Sequence, residues 1–452
     1  MSKQPSPRIW VLVVGLLPFF GAARLAQGNP IDAFGIGARA PALGSAYAAV
    51  ADDSSAGYYN PAGLAQAKDL RIDFGYQFAR PQIAISGVQQ ALMDSRGINA
   101  GIVLPGDLFG VHFAFGVTLF LPDQEALRIR VLSYDQPRLQ LYDNRGQQLY
   151  LATNLAIHIW RGLYIGGGLT FMSRSQGVVY LQGQVSVSDP DSSMLQSSVD
   201  VNLLAIRYPQ VGLLVQLTQE VALALVYRHT FQLNLDQSFN FMADVGDPGE
   251  KPLISGAKLQ EDAHSVDLFQ PWQLVAGTAV RLWPQLLITF DLTFSRWSAQ
   301  PPPAATFTLN FDLGQYNSLV KLPSSPTYPD PGFHDTLMPA VGFEWRVIDR
   351  AFGERLSLDL RAGYRYEPSP VPDQVGESNL GDADRHIFSF GMGFELAKLT
   401  RVLPKPLAFD IFVAWNYLPE RYFHKLDPTS SVGDFTVEGQ VWQAGAQLRW
   451  RL

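Results

Sequence analysis

The sequence predicts an all-β protein: a transmembrane antiparallel β-barrel of about 14 strands with an N-terminal hatch, or plug, inside its lumen. Three observations lead there. First, residues 441–452 alternate, with Trp442, Ala444, Ala446, Leu448, Trp450 and Leu452 on one face and Gln443, Gly445, Gln447, Arg449 and Arg451 on the other. Side chains of a strand point to opposite faces in turn, so this segment has one apolar and one polar side. Second, the same alternation recurs over several hundred residues behind an N-terminus of secretory type. Third, 47% of residues are hydrophobic but only 17% are charged, where soluble domains carry roughly 25% charged residues.

Residues 1–28 read as a signal peptide. Lys3 and Arg8 supply a basic start, residues 9–23 an apolar core, and Ala26-Gln27-Gly28 the small residues of a cleavage region, with cleavage expected between Ala23 and Gly28. The alternative is a membrane anchor, but the core falls short of the roughly 20 residues a spanning helix needs, and Gly15 and Pro18 weaken it. No later apolar run is long enough for a helical span, so strands must do the crossing.

Composition excludes several chemistries. With no Cys there are no disulfides, thiolate metal sites or cysteine nucleophiles. A net charge of -7 without any Lys/Arg run argues against a nucleic-acid partner. The 28 Phe, 17 Tyr and 9 Trp suit a barrel whose aromatic belts sit at both membrane boundaries.

Residues 29–69 lack sustained alternation and are rich in Gly and Ala, as in Phe34-Gly35-Ile36-Gly37-Ala38-Arg39-Ala40 and Asn60-Pro61-Ala62-Gly63-Leu64. Small residues suit a hatch packed against many walls at once; an ordered arm outside the barrel is the other reading. Residues 70–452 then form the barrel. Strand-like segments run 70–79, 97–105, 109–121, 150–160, 163–174, 208–217, 221–235, 272–282, 286–297, 338–347, 356–367, 386–396, 407–418 and 441–452. Short turns such as Arg161-Gly162 and Trp283-Pro284 alternate with long polar stretches at 122–149, 175–207, 236–271, 298–337, 368–385 and 419–440. Short periplasmic turns alternating with long external loops is the outer-membrane arrangement. Within 286–297, Leu286, Ile288, Phe290, Leu292 and Phe294 are expected to meet lipid, and Thr289, Asp291, Thr293 and Ser295 the lumen. Within 221–235, Leu223, Leu225, Tyr227, Phe231, Leu233 and Leu235 are expected outside and Arg228, Thr230, Gln232 and Asn234 inside.

The run from Ala51-Asp52-Asp53 to Asn60-Pro61-Ala62-Gly63 resembles the N-terminal hatch of the FadL/TodX family of outer-membrane transporters. So do Pro271-Trp272, Asp291-Leu292-Thr293-Phe294-Ser295-Arg296-Trp297-Ser298, His334-Asp335-Thr336, Arg361-Ala362-Gly363-Tyr364-Arg365-Tyr366 and Asp384-Arg385, in the same order. The resemblance implies passive uptake of long-chain fatty acids or other hydrophobic compounds at the outer membrane of a Gram-negative bacterium. The ligand would enter through the external loops, reach an internal pocket, and leave sideways at a kink in the third wall strand. The spacing of Gly35 to Ala40 before Leu43-Gly44 resembles a related branch of barrels linked to secretion or envelope assembly. That implies the alternative of a scaffold or shuttle with a secretion-system protein partner.

Candidate sites follow. Phe34 and Ile36 are candidate ligand-lining residues, or ordinary packing between hatch and wall. Asp52 and Asp53 are expected to anchor the hatch on wall arginines, a purely structural ion pair or cap being the other reading, and Asn60, Pro61 and Gly63 to fix the turn where the hatch enters the first strand. Gly110 and Gly116 are candidates for the lateral gate, because glycine inside a strand marks a bulge or a close approach. Arg228 and Asp291 could meet a ligand carboxylate. Partners are then a hydrophobic small molecule and the outer-membrane lipids. No cofactor and no metal is expected. The seven His are scattered, no HExxH or GxSxG occurs, and Gly35-Ile36-Gly37-Ala38-Arg39-Ala40 lacks the βαβ setting of a dinucleotide site, so no enzyme is expected.

Overall fold

The computed structural model describes residues 30–123, 137–139, 141–142, 149–186, 189–247, 249–302, 306–319, 330–373, 379–398, 405–426, 430 and 432–452. The signal segment lies outside the described residues. The wall is built from fourteen strands, β1 to β14 in chain order. They are β1 Arg71–Ile85, β2 Ser95–Leu108, β3 Val111–Pro122, β4 Tyr150–Trp160, β5 Leu163–Val185 and β6 Met194–Gln216. Then come β7 Val221–Arg228, β8 Gln273–Trp283, β9 Leu286–Ser295 and β10 Thr336–Arg350. The last four are β11 Leu356–Glu367, β12 Arg385–Leu396, β13 Leu407–Phe423 and β14 Phe435–Arg451. Neighbours in this order pair antiparallel, and β14 returns to β1 in unbroken register from Arg71↔Arg451 to Ile85↔Val437. The barrel is closed, so no edge of unpaired backbone meets the hydrocarbon.

Alternation decides which side is which. On β9, Phe290 is exposed on the outer face while its neighbours Thr289 and Asp291 are buried. On β14, Trp442 and Leu448 face out while Gln443 and Gln447 are buried within. Lipid takes the apolar face; the polar face turns inward and requires something to satisfy it. One end of the barrel carries short connections such as 109–110, 161–162 and 284–285, and the other carries the long excursions.

Those excursions hold more strand than the sequence suggested. The polar stretch 175–207 is largely a continuation of β5 and β6, paired from Ser175↔Leu203 to Gln184↔Met194 beyond the wall. The segment expected as one strand, 221–235, is broken at His229-Thr230. Phe231 starts a separate strand, Phe231–Val245, that leaves the wall, runs parallel to the outer part of β5 and pairs with Ile254–Gln270. Phe231 therefore does not meet lipid: it is buried, its ring 5.3 Å from that of Tyr208. Alternation survives the break, which is why the sequence concealed it.

The hatch comprises short helices Pro30–Phe34, Arg39–Ala42 and Ala56–Tyr59 and a 3-10 turn Pro61–Gln66, all nearly devoid of exposed side chains. None is long enough to be stable alone. They are held by the wall around them.

Candidate functional site: the hatch and the lumen above it

Polar wall positions meet hatch backbone groups nearly all the way round. Ser54 N–H donates to Asp73 on β1 at 2.7 Å, and Thr118 on β3 donates to the Ser54 carbonyl at 2.5 Å. Asn154 on β4 and Gln210 on β6 both donate to the Gly57 carbonyl. The Tyr47 and Ala48 N–H groups donate to one oxygen of Asp291 on β9, at 2.8 and 2.9 Å. Gly44 N–H reaches Ser389 on β12 at 3.0 Å, and Ala38 N–H reaches Gln447 on β14 at 2.9 Å. Short helices leave most of their N–H and C=O groups without an internal partner; here the polar inner wall supplies them.

Through this lattice runs a chain of charges. Arg39 of the hatch grips Glu344 on β10 with Nε and Nη2, both at 2.8 Å, and reaches Asp52 with Nη1 at 3.0 Å. Arg361 on β11 bridges Glu344 at 2.7 Å to Asp410 on β13 at 2.5 Å, and Arg449 on β14 completes the chain at 2.7 Å from Asp410. Bidentate arginine–carboxylate contacts are the stronger and more directional kind of ion pair. Burial pushes the Asp52 carboxyl up, but Arg39 and Arg71 outweigh it and hold the group below its ordinary range. Burial pushes the Tyr47 and Tyr59 phenols up, so both stay neutral inside the hatch, the Tyr47 hydroxyl donating to Asp52 and Asp53 and that of Tyr59 accepting from Ile36 N–H.

The residues singled out from sequence fall into different settings. Asp52 meets a wall arginine: Arg71, at the start of β1, lies 3.8 Å away. Asp53 caps the next turn by accepting from Ser55 N–H at 3.0 Å and from the Ser55 hydroxyl at 2.5 Å, and it interacts electrostatically with Arg449 on β14. Its hydrogen bonds are those of a local cap, the commoner use of an aspartate before a helical turn. Asn60 caps the 3-10 turn through Ala62 N–H and donates to the carbonyls of Ala48 and of Leu213 on β6. Pro61 opens that turn against Gly166, where a Cβ would lie 2.5 Å from the Pro61 carbonyl carbon. Gly63 packs so close that a Cβ would lie 1.9 Å from the Ala51 oxygen.

Gly110 sits outside the wall ladder, in the turn between β2 and β3, at φ +78 beside Phe109 at φ 52. Left-handed backbone at both central residues is what a tight two-residue hairpin demands, so its glycine serves the turn. Gly116 lies mid-strand on β3, where the ladders stay in register through Val103↔Gly116 and Gly116↔Asn154. Its missing side chain makes room for Leu64 of the hatch, 2.7 Å from where a Cβ would stand. Arg228 and Asp291 are committed to the hatch: Arg228 donates to the Tyr58 carbonyl at 3.1 Å and covers the Tyr58 ring.

Ile36 is packed inside the hatch, with Tyr59 and Leu64 in its cluster. Phe34 belongs to another cluster, at the outer end of the lumen, with Phe269, Trp297, Phe333, Val371 and Phe423. Two small separate cavities lie near these regions. One of about 50 Å³ lies between hatch and wall beside Tyr58, Arg228 and Asp291, and one of about 40 Å³ lies higher, beside Trp297 and Arg385. Both are lined by Gln273, Met338 and Glu367. Sequence reasoning missed Arg39, Glu344, Arg361 and Asp410, although charges at inward positions of several strands were a signal for them.

A closed fourteen-stranded barrel plugged by its own N-terminal segment, apolar outside and apolar again near its outer mouth, defines a plugged outer-membrane channel. The match to known sequences places it: residues 22–451 fit the family of outer membrane protein transport proteins described as OMPP1/FadL/TodX, and the chain belongs to that family. It is an outer-membrane protein. It is 24% identical to the long-chain fatty acid transport protein of Escherichia coli K12 over 246 residues, 53% of this chain and 47% of that one. The match thus spans about half the length of that relative. Among solved structures, a Pseudomonas aeruginosa FadL homologue superposes with a TM-score of 0.55 at 13% identity, covering 95% of this chain and 98% of that one. The monoaromatic hydrocarbon channel CymD gives 0.52 at 17% identity, covering 94% and 99%. The Pseudomonas putida toluene transporter TodX gives 0.51 at 14%, covering 93% and 99%. These likenesses carry the fold.

Proposed function

We propose that the protein carries hydrophobic small molecules passively across the outer membrane, with long-chain fatty acids and hydrocarbons as the substrate classes. The observation that carries this reading is the apolar cluster around Phe34, Phe269 and Trp297, set at the loop end of the lumen above a hatch that fills the barrel. An apolar pocket with few fixed polar groups suits a hydrophobic ligand, and a filled lumen opposes free passage of water-soluble solutes. The ligand enters among the external strands, rests on the cluster beside Phe34, and leaves when the hatch shifts. Glycine contacts such as Gly116 against Leu64 make the wall sensitive to that shift, and exit is sideways into lipid. Relatives named for fatty-acid transport and solved barrels named for toluene and monoaromatic hydrocarbons support the two classes. Transport by this route involves no covalent chemistry, and we read the protein as a transporter, not an enzyme.

The test is mass spectrometry of organic extracts from gently purified protein, with membranes from an empty-vector strain as control. Selective enrichment of a fatty acid or hydrocarbon is the expected result. Extracts matching the control, with hydrophobe uptake no faster than in the empty-vector strain, would sink the proposal. A stoichiometric protein partner in their place would favour the scaffold role.

A further inference from the structure

Buried polar atoms without a partner are rare in folded proteins, and each is costly. In this barrel several of them meet at one place. Both side-chain atoms of Gln270, the hydroxyls of Ser295 and Thr336, and Nη1 of Arg385 are buried and have no hydrogen-bond partner among the described residues. All four residues line the upper cavity of about 40 Å³. The grouping follows from the fold: Ser295 on β9 pairs directly with Gln273 on β8 and with Thr336 on β10, so the three stand side by side on the inner wall. Because both Gln270 atoms are unpartnered, turning its amide over changes nothing. Trp297 and Leu141, members of the apolar cluster, line the same cavity. On this measure of volume one water takes roughly 10–15 Å³, so the space matches a head of about three or four heavy atoms.

We infer that this cavity receives the neutral hydroxyl head of an amphipathic ligand, an alcohol or a phenol, whose apolar body lies on the cluster around Trp297 and Phe269. The inference rests on the transport reading above and narrows its substrate. A hydrocarbon leaves every one of these polar atoms unmatched. A carboxylate only accepts, so it leaves the Gln270 oxygen without a donor. It also arrives beside Glu367, whose carboxylate lines the cavity and is already shared between Arg365, at 2.8 Å, and Arg385. Like charges at such a separation disfavour each other. A hydroxyl donates one hydrogen bond and accepts two. It can give to the Gln270 oxygen and take from the Gln270 amide, Ser295, Thr336 or Arg385.

The test uses the full chain in lipid nanodiscs at neutral pH, with 1-octanol, octane and octanoate as probes and empty nanodiscs as the blank. Equilibrium binding of 1-octanol is expected to exceed that of octane by about tenfold, the scale of one or two net neutral hydrogen bonds. Octanoate is expected to bind more weakly than the alcohol. In the S295A/T336V double variant, which removes both hydroxyls at nearly constant shape, the alcohol-to-alkane ratio narrows to about twofold; Gln270→Leu does the same from the other side. Equal binding of alcohol and alkane, as a merely hydrated cavity gives, overturns the inference, and so does preference for octanoate. Octane bound without preference for the alcohol leaves hydrophobe transport standing and removes only this inference. Failure of all three probes to bind above the blank removes both. Should the variants not fold, the three-probe comparison on the unaltered protein still decides.

Discussion

Arg39 is the side chain through which the hatch holds the wall, and its removal is expected to release the plug while sparing the barrel. Arg39→Met keeps most of the aliphatic stem and deletes the guanidinium. Two bonds to Glu344 at 2.8 Å and one to Asp52 at 3.0 Å disappear. Hydrogen bonds to charged groups contribute about 1.5–3 kcal/mol each, and stripping one partner from a buried pair costs roughly 3–5 kcal/mol. Here the abandoned carboxylates are not left alone. Glu344 keeps Arg361 at 2.7 Å, and Asp52 keeps Arg71 at 3.8 Å. The loss therefore belongs at the lower end, about 3 kcal/mol of docking, which raises the undocked population roughly hundredfold. Amide hydrogen exchange on the folded protein in nanodiscs reads this directly. The N–H groups of Gly44, Tyr47 and Ala48, held by Ser389 and Asp291, should exchange about a hundred times faster. Those of the β2–β3 ladder should not change. Arg39→Lys, which keeps the charge but not the fork, should fall between. The reasoning fails if hatch amides change by less than about threefold. It fails equally if hatch and wall accelerate together, since the charges would then be holding the barrel and not the plug.

Other expectations follow from the same contacts. Asn60→Ala removes a cap and two long-range bonds; a loss of about 1–2 kcal/mol should make hatch proteolysis roughly tenfold faster with the heat-resistant barrel band unchanged on gels. Gly63→Ala forces a methyl against the Ala51 oxygen and should increase leakage of small hydrophilic solutes, measured as single-channel conductance. The depressed Asp52 carboxyl sets a pH dependence. Its folded-state value lies below the ordinary one, so its contribution is complete above the ordinary carboxylate range and is lost as pH falls through the lowered value. The part of hatch exchange that Asp52 controls, read as the difference between the unaltered protein and Asp52→Asn after correction for intrinsic rates, should stay flat from about pH 8 to pH 5 and change only below about pH 4. Phe290→Arg puts a charge on the exposed outer face of β9, and in urea titrations should cost about 2–4 kcal/mol of barrel stability.

The barrel was legible because its signal is local and repeated. A lipid-facing strand must alternate, and fourteen such segments, closed by the pairing of β1 with β14, agree with the count read from the sequence. Loops were legible only as interruptions of apolar alternation. The outer parts of β5 and β6 lie beyond the wall, where one face need no longer be lipid-compatible, so paired strands at 175–207 read as polar loop. Phe231 shows the converse: alternation carried across a break and placed a buried ring on the lipid face.

Site residues divide by the range of their contacts. Asn60 and Gly63 could be read because their tasks are local, a cap on Ala62 and a close approach to Ala51. For Asp53, sequence shows a carboxylate near a helical turn and a set of distant arginines, and cannot rank the two. Its neighbour two residues on was the partner. Arg39 and Glu344 lie 305 positions apart, and nothing local marks either as half of a pair. What sequence did supply was the side of the wall on which each polar residue stands. In a barrel filled by its own hatch an inward polar residue must find the hatch, another wall residue, water or a ligand. Asp73, Thr118, Asn154, Asp291, Ser389 and Gln447 find the hatch. Ser295 and Thr336 stand on the same inner face, above the hatch's reach, and find neither hatch nor wall among the described residues. Water or a ligand's polar group is the partner left to them, and the comparison of alcohol with alkane decides between the two.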